Sequence, residues 1–204
     1  MCDFFDTSII FQEPTKWQES LWHLCRFCSN RDPIFSERFK QISAWDYDKI
    51  TKAVCKPIRN DSLASADALF HCSNGDWAFI EFKLRKGCDI KTRKKELLCL
   101  RKKMYESLLT SEPIFFHDHP FDEIRKHLHF IFVYEDDNED TPSVGNIREA
   151  LGEQAGIPND NEQDIQIRFG LEKFQGPYYA SVHTWTEKEF DKHAPKFLGL
   201  EAAE

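Results

Sequence analysis

Residues 66–83 read Ala66-Asp67-Ala68-Leu69-Phe70-His71-Cys72-Ser73-Asn74-Gly75-Asp76-Trp77-Ala78-Phe79-Ile80-Glu81-Phe82-Lys83. Two largely apolar runs flank a cluster of turn formers, which predicts a β-hairpin with strands at about 66–72 and 77–83. Turn length sets the register. A two-residue Asn74-Gly75 loop would pair Ser73 with Asp76 and put Asp67 opposite Phe82. A three-residue loop, Ser73-Asn74-Gly75 with Gly75 in the left-handed region, pairs Cys72 with Asp76 and Asp67 with Glu81. The three-residue loop keeps Ala68, Phe70, Ala78, Ile80 and Phe82 on one face and collects Asp67, Glu81 and Lys83 on the other. A slip by one residue scrambles both sets.

Two carboxylates directly opposite each other destabilise a ladder unless something offsets their charge. Here they stand among apolar neighbours, Ala66-Asp67-Ala68-Leu69-Phe70 and Phe79-Ile80-Glu81-Phe82-Lys83, where a solvated face would carry more polar residues. Buried carboxylates need a partner or a metal. Mg²⁺, or Mn²⁺ in its place, takes oxygen ligands, keeps several waters and is often held by one or two carboxylates plus substrate phosphate. Lys83, two residues beyond Glu81, reaches the same place and can orient a water or offset charge in a transition state. The plain alternative is a surface strand with a cross-strand Glu–Lys pair.

An Asp, 13 residues and then Glu-x-Lys, on a hairpin followed by a helix, resembles the PD-(D/E)XK superfamily of nucleases and nuclease-like proteins. The resemblance covers roughly residues 30–135. Ser65-Ala66-Asp67 with Phe79-Ile80-Glu81-Phe82-Lys83, and Tyr105-Glu106-Ser107-Leu108-Leu109 near the end of the next helix, is also similar to a group of uncharacterised bacterial proteins that carry the motif. Ala66 stands where the usual pattern has Pro. The resemblance implies an α/β (α+β) fold with a restriction-endonuclease-like core, a mixed central sheet flanked by helices. It also implies Mg²⁺-dependent cleavage of phosphodiester bonds in nucleic acid, DNA first and RNA as the alternative. Asp67 and Glu81 would bind the metal with the backbone carbonyl of Phe82, and Lys83 would assist the attacking water. Many members add a carboxylate from the first core helix, for which Glu37 is the first candidate and Glu19 the second. A nuclease-like module that binds a protein or nucleic acid without cutting is the second reading, because a fold does not fix a function.

Outside the hairpin, Thr15 with Gln18 reads as a capping box opening a helix over 15–28, with Trp17, Leu21, Leu24, Cys25 and Cys28 on one face. Asp32 and Pro33 begin a second helix to Ile42, with Ile34, Phe35, Phe39 and Ile42 inward. Residues 46–58 fit either a helix capped by Asp46, through Ile50, Ala53 and Val54, or a strand over Lys49–Cys55. A helix follows the hairpin from about Lys91 to Leu109, with Leu97, Leu100, Met104 and Leu108 at helical spacing and Leu98, Tyr105 and Leu109 widening the arc. His129–Tyr134 and Tyr179–Trp185 read as strands, and Thr186 caps a short helix through Phe190. Between them lie an acidic loop at 135–140, a helix near Ser143–Gln154 and a strand at Ile165–Phe169. A single domain is expected, with a core at about 30–135 and a C-terminal αβ elaboration at about 141–204.

The net charge of −8 hides an asymmetry. Residues 83–103 hold ten basic and two acidic side chains, leaving this segment at +8 and the remainder at −16. Charge is screened beyond roughly 8–10 Å, so the segment matters more than the total for a polyanion. Lys91, Lys95, Arg101, Lys102 and Tyr105 are the candidates for nucleic-acid contact. A solvated helix face is the plain alternative. The acidic stretch 135–164 could compete with nucleic acid for this segment or bind a basic partner. Small size and overall acidity point to a partner-dependent role, with a second copy of the chain or another protein as companion.

Cys25-x-x-Cys28 with His23 lacks a second pair and reads as core thiols rather than zinc. His117-x-His119 and His127-x-His129 have ligand-like spacing in less favourable settings. Seven scattered cysteines, an acidic N-terminus and no long apolar stretch predict a cytoplasmic protein with free thiols and no membrane association.

Overall fold

The computed structural model describes residues 8–29, 36–55, 63–83, 90–135 and 169–200. They form a mixed α/β fold around a six-stranded sheet. In chain order the elements are α1 (Ser8–Gln12), α2 (Pro14–Trp17), β1 (Gln18–Ser20), α3 (Leu21–Ser29), a 3-10 turn (Glu37–Gln41), β2 (Ser43–Asp46), α4 (Tyr47–Cys55), β3 (Ala68–His71) and β4 (Trp77–Lys83). Then come α5 (Ile90–Phe115), α6 (Phe121–Ile124), β5 (Leu128–Tyr134), a second 3-10 turn (Glu172–Phe174), β6 (Ser181–Thr186) and α7 (Glu187–Phe197). Strand order follows sequence order from β1 to β6. Strands β1 to β4 pair antiparallel, and β4, β5 and β6 pair parallel.

The hairpin takes the three-residue register. Ala68 pairs with Ile80 and His71 with Trp77, which carries Asp67 opposite Glu81. The Cys72 N–H bonds the Asp76 carbonyl at 2.8 Å, and Gly75 has φ +91°. A side chain rarely adopts that conformation, so glycine meets a real requirement here.

Both faces of the sheet are covered, which is why β4 and β5 read as apolar runs. On one face Leu69, Phe79, Phe130, Phe132 and Val182 pack with Leu100, Met104 and Leu108 of α5. On the other, Ala68, Phe70, Ala78, Ile80, Phe82, Ile131, Val133 and Trp185 pack with Leu21, Leu24 and Cys25 of α3 and with Phe190 and Ala194 of α7. Each fully buried Phe in these layers contributes ~2–3 kcal/mol of apolar burial.

Several expectations are corrected. The helix over 15–28 is two helices interrupted by β1. Trp17 belongs to the α5 face, whereas Leu21, Leu24 and Cys25 belong to the opposite one. The chain therefore passes around the sheet edge, pairing Gln18 with Trp45 and Ser20 with Ser43 on the way. Thr15 does not cap; Glu13 holds the N-cap position without a side-chain bond, followed by Pro14. Of the helix expected at 33–42, the described part is a 3-10 turn capped by Ser36, with Phe39 buried; Asp32, Pro33, Ile34 and Phe35 lie outside the described residues. Residues 47–55 take the helical alternative, and Asp46 accepts the Lys49 N–H at 3.0 Å. Helix α5 continues past Leu109 to Phe115, and Leu98 and Leu109 are 68% and 69% exposed, so they do not widen its buried face. Helix α7 extends to Phe197 from a complete capping box of Thr186 and Glu189. The acidic loop, the helix at 143–154 and most of the strand at 165–169 lie outside the described residues; Phe169 itself is in a turn at φ +68°.

Candidate active site

The hairpin ladder opens at Asp67. By register Ala66 faces Phe82, yet the Ala66 N–H bonds Ser107 Oγ of α5 at 2.8 Å. Asp67 Oδ2 accepts the Phe82 N–H at 2.8 Å. Asp67 Oδ1 is thereby turned toward Glu81. Phe82 buries its ring on the far face, and its carbonyl leaves the strand on the same edge as its N–H, toward the aspartate.

Asp67 is 8% exposed and Glu81 3%. The charge between them is Lys103. Its Nζ lies 2.7 Å from both Glu81 oxygens and 3.3 Å from Asp67 Oδ1. Helix α5 runs antiparallel to β4, so Glu96 comes 4.0 Å from Lys83, and Lys103, about two turns later, meets Glu81. Farther along, the Tyr47 hydroxyl donates to the Ser107 carbonyl at 2.9 Å and pairs with Thr110 Oγ1 at 2.8 Å, which ties α5 to the start of α4.

Two carboxylates against one ammonium leave the buried cluster one positive charge short. Burial pushes the Glu81 carboxyl up to about 8, and the Asp67 charge adds to this; Lys103 and Lys83 pull the other way without cancelling it. Burial also works against the Lys103 charge, but Glu81 and Asp67 outweigh it and hold the ammonium above its ordinary value. The two shifts agree in meaning: a proton or a cation is wanted at this point.

The structure thus brings Asp67, Glu81 and Lys83 to one face. Lys83 sits at the rim beside Glu96, and Lys103 takes the central place. Sequence reading counts Lys103 only within the basic run. Its signal is position: Leu100, Lys103, Met104 and Ser107 fall on one helical stripe, and a lysine inside a buried stripe needs anionic partners.

Glu37 is not brought to the site. Its side chain is 83% exposed and pairs with Lys40 at 2.6 Å, on the turn whose Phe39 packs against the opposite sheet face. Glu19 pairs with Ala44 on that opposite face as well. Among the candidates for nucleic-acid contact, Lys95 and Lys102 are exposed on α5, with Lys102 3.6 Å from Glu106. The side chain of Lys91 lies outside the described residues. Arg101 turns inward: Nη2 donates to the Phe169 carbonyl at 3.4 Å, and Nε is buried without a partner. Tyr105 packs edge-on against Phe174 and Tyr178, leaving part of its ring exposed.

His127 and His129 both bond Asp76, at 2.8 and 3.3 Å, which ties the hairpin turn to β5. Among the described residues no group of three or more His, Cys, Asp or Glu is placed to hold a metal ion, and no helix is long and apolar enough to cross a membrane. The donor set at the candidate site is two carboxylates with the Phe82 carbonyl nearby. No protein-family model, curated protein or solved structure matches the chain.

Proposed function

We propose that the chain is a Mg²⁺-dependent nuclease of the PD-(D/E)XK type, hydrolysing phosphodiester bonds in nucleic acid, DNA before RNA. One observation carries this reading: three carboxylate oxygens, from Asp67 and Glu81, converge on a single cation. Two further features support it. The succession of hairpin, α5 crossover and parallel β5 is compatible with a restriction-endonuclease-like core. The site also lies where α5 meets the end of β4, beside the most basic segment of the chain.

The donors fit a hard divalent ion: few protein oxygens, a site short of positive charge and partial access through the Lys103 side chain, which is 26% exposed. When bound, such an ion supplies a more acidic water and offsets charge on a phosphoryl oxygen. Asp67 and Glu81 would hold the ion. Lys83 stands at the open rim, on the same strand face as Glu81, where its ammonium can meet the water or the phosphate. The exposed Lys95 and Lys102 are available to the nucleic-acid backbone. Free thiols at Cys25, Cys55, Cys72 and Cys99 fit a reducing compartment.

The test is cleavage of a panel of single-stranded, double-stranded and branched DNA and RNA with Mg²⁺ or Mn²⁺, for wild type and Asp67→Asn. Metal-dependent cutting that the variant lacks is expected. The second reading, a silent module that binds a partner or a second copy of itself, gains from Lys103, which partly neutralises the pair from within. A wild type that neither cuts the panel nor shifts its unfolding temperature with Mg²⁺ or Mn²⁺ would select that reading.

A further inference from the structure

We infer that Lys103 is the resident cation of the Asp67–Glu81 site and that a divalent ion can enter only by displacing it. This rests on the metal-site reading above and adds to it a competition built into the fold. The ammonium does not lie beside a vacant position; it occupies the point on which Glu81 Oε1, Glu81 Oε2 and Asp67 Oδ1 converge. A magnesium ion needs those oxygens at ~2.0–2.1 Å, closer than the ammonium stands. Both cannot contact them together. An ammonium held within a few ångströms of a divalent ion in a buried setting meets strong repulsion.

The side chain has the means to withdraw. Lys103 is the most exposed of the three charged groups, and its four-carbon stem gives the head room to swing toward solvent. Glu106, three residues on along α5, already takes Lys102 and the Ala64 N–H, so the withdrawn head goes to solvent. Charge explains why exchange is favourable. With both carboxylates ionised the ammonium leaves a net −1, and a divalent ion in its place brings the cluster to zero, releasing whatever proton Glu81 holds. Without metal, Lys103 prevents two buried carboxylates from facing each other uncompensated, so the fold does not depend on the ion. The consequence is a metal affinity lower than the bare carboxylate pair would give, and a lysine released at the site only when metal arrives.

The experiment titrates Mn²⁺ and Ca²⁺ into wild type, Lys103→Met, Asp67→Asn and the double variant by calorimetry, with circular dichroism confirming the fold. Methionine keeps an unbranched stem and removes the charge. Lys103→Met is expected to bind Mn²⁺ about tenfold or more tightly than wild type, and the Asp67→Asn change should abolish binding in both backgrounds. Independently, Lys103 in the wild-type protein is labelled with an amine-reactive ester and followed by peptide mass spectrometry. Saturating Mn²⁺ should speed its modification several-fold relative to Lys126. This second measurement decides the matter if Lys103→Met fails to fold. Equal Mn²⁺ affinity in wild type and Lys103→Met, or labelling indifferent to bound Mn²⁺, would overturn the competition and leave the nuclease reading standing. Absence of Mn²⁺ and Ca²⁺ binding in every protein would overturn both. Competition without cleavage of any nucleic acid would uphold the inference and remove the nuclease.

Discussion

Replacing Glu81 by Gln should make the protein more stable at alkaline pH and leave it nearly unchanged at mildly acidic pH. The carboxyl moves from an ordinary value of 4.5 in the unfolded chain to about 8 in the fold, first through burial and then through the Asp67 charge. The folded value lies above the unfolded one. Its contribution to stability is therefore complete below about 4.5 and is withdrawn as pH climbs through about 8. At ~1.4 kcal/mol for each pH unit across that interval, the ceiling is about 5 kcal/mol. Water entry and relaxation around the ionised group reduce it, leaving on the order of 2–4 kcal/mol. Glutamine is neutral throughout and keeps the carboxyl shape, so it escapes this loss. The assay is urea unfolding of both proteins in chelator at about pH 5 and about pH 8.5, comparing the difference between them so that titrations remote from Glu81 cancel. Saturating Mg²⁺ at the higher pH should then restore the wild type alone, by ~2.7 kcal/mol at a hundredfold excess over its dissociation constant. A difference flat in pH, or a variant that loses to wild type at alkaline pH, would show that Lys103 alone satisfies an ionised Glu81. The cluster would then carry no charge deficit.

Lys83→Ala should separate stability from chemistry. The Lys83–Glu96 contact is 4.0 Å long between partly exposed groups, so unfolding should shift by no more than ~0.5 kcal/mol. Cleavage should fall on the order of 10²-fold if the ammonium positions water or phosphate, and undiminished cleavage would exclude that role. Gly75→Ala probes the hairpin turn. No atom lies within 4 Å of the added methyl group, so the expected ~1–2 kcal/mol loss is purely the cost of φ +91°, and an unchanged denaturation midpoint would contradict the register.

The hairpin register was legible because two independent constraints agreed. The turn residues admitted two loops, and the alternation of Ala68, Phe70, Ala78, Ile80 and Phe82 selected one. The helix expected across 15–28 failed because helical spacing records only that residues are buried, not against which face. Trp17 and Leu21 satisfy the period while packing on opposite sides of the sheet. Strands β1 and β2, three and four residues long, are too short to display alternation. Glu37 follows from its place in the chain alone, but Phe39 fixes the turn on the opposite face and leaves Glu37 in solvent. Lys103 was hidden by its neighbours: within a run of ten basic residues, only the buried stripe of Leu100, Met104 and Ser107 distinguishes it.

Asp67 holds two jobs that a single carboxylate can separate by atom. Oδ2 replaces a lost ladder bond at the Phe82 N–H, just where α5 draws Ala66 away through Ser107. Oδ1 faces Lys103 and Glu81. The strands part here because α5 takes the Ala66 N–H through Ser107. The aspartate beside the gap makes up for it: its side chain satisfies the Phe82 donor, and a buried donor left unmatched would cost ~1–3 kcal/mol. Asparagine keeps an oxygen for the Phe82 N–H and removes the charge toward Lys103, whereas alanine would destroy both functions and confuse folding with chemistry. Asp67→Asn is for that reason the substitution in which a lost activity speaks about the charge and not about the sheet.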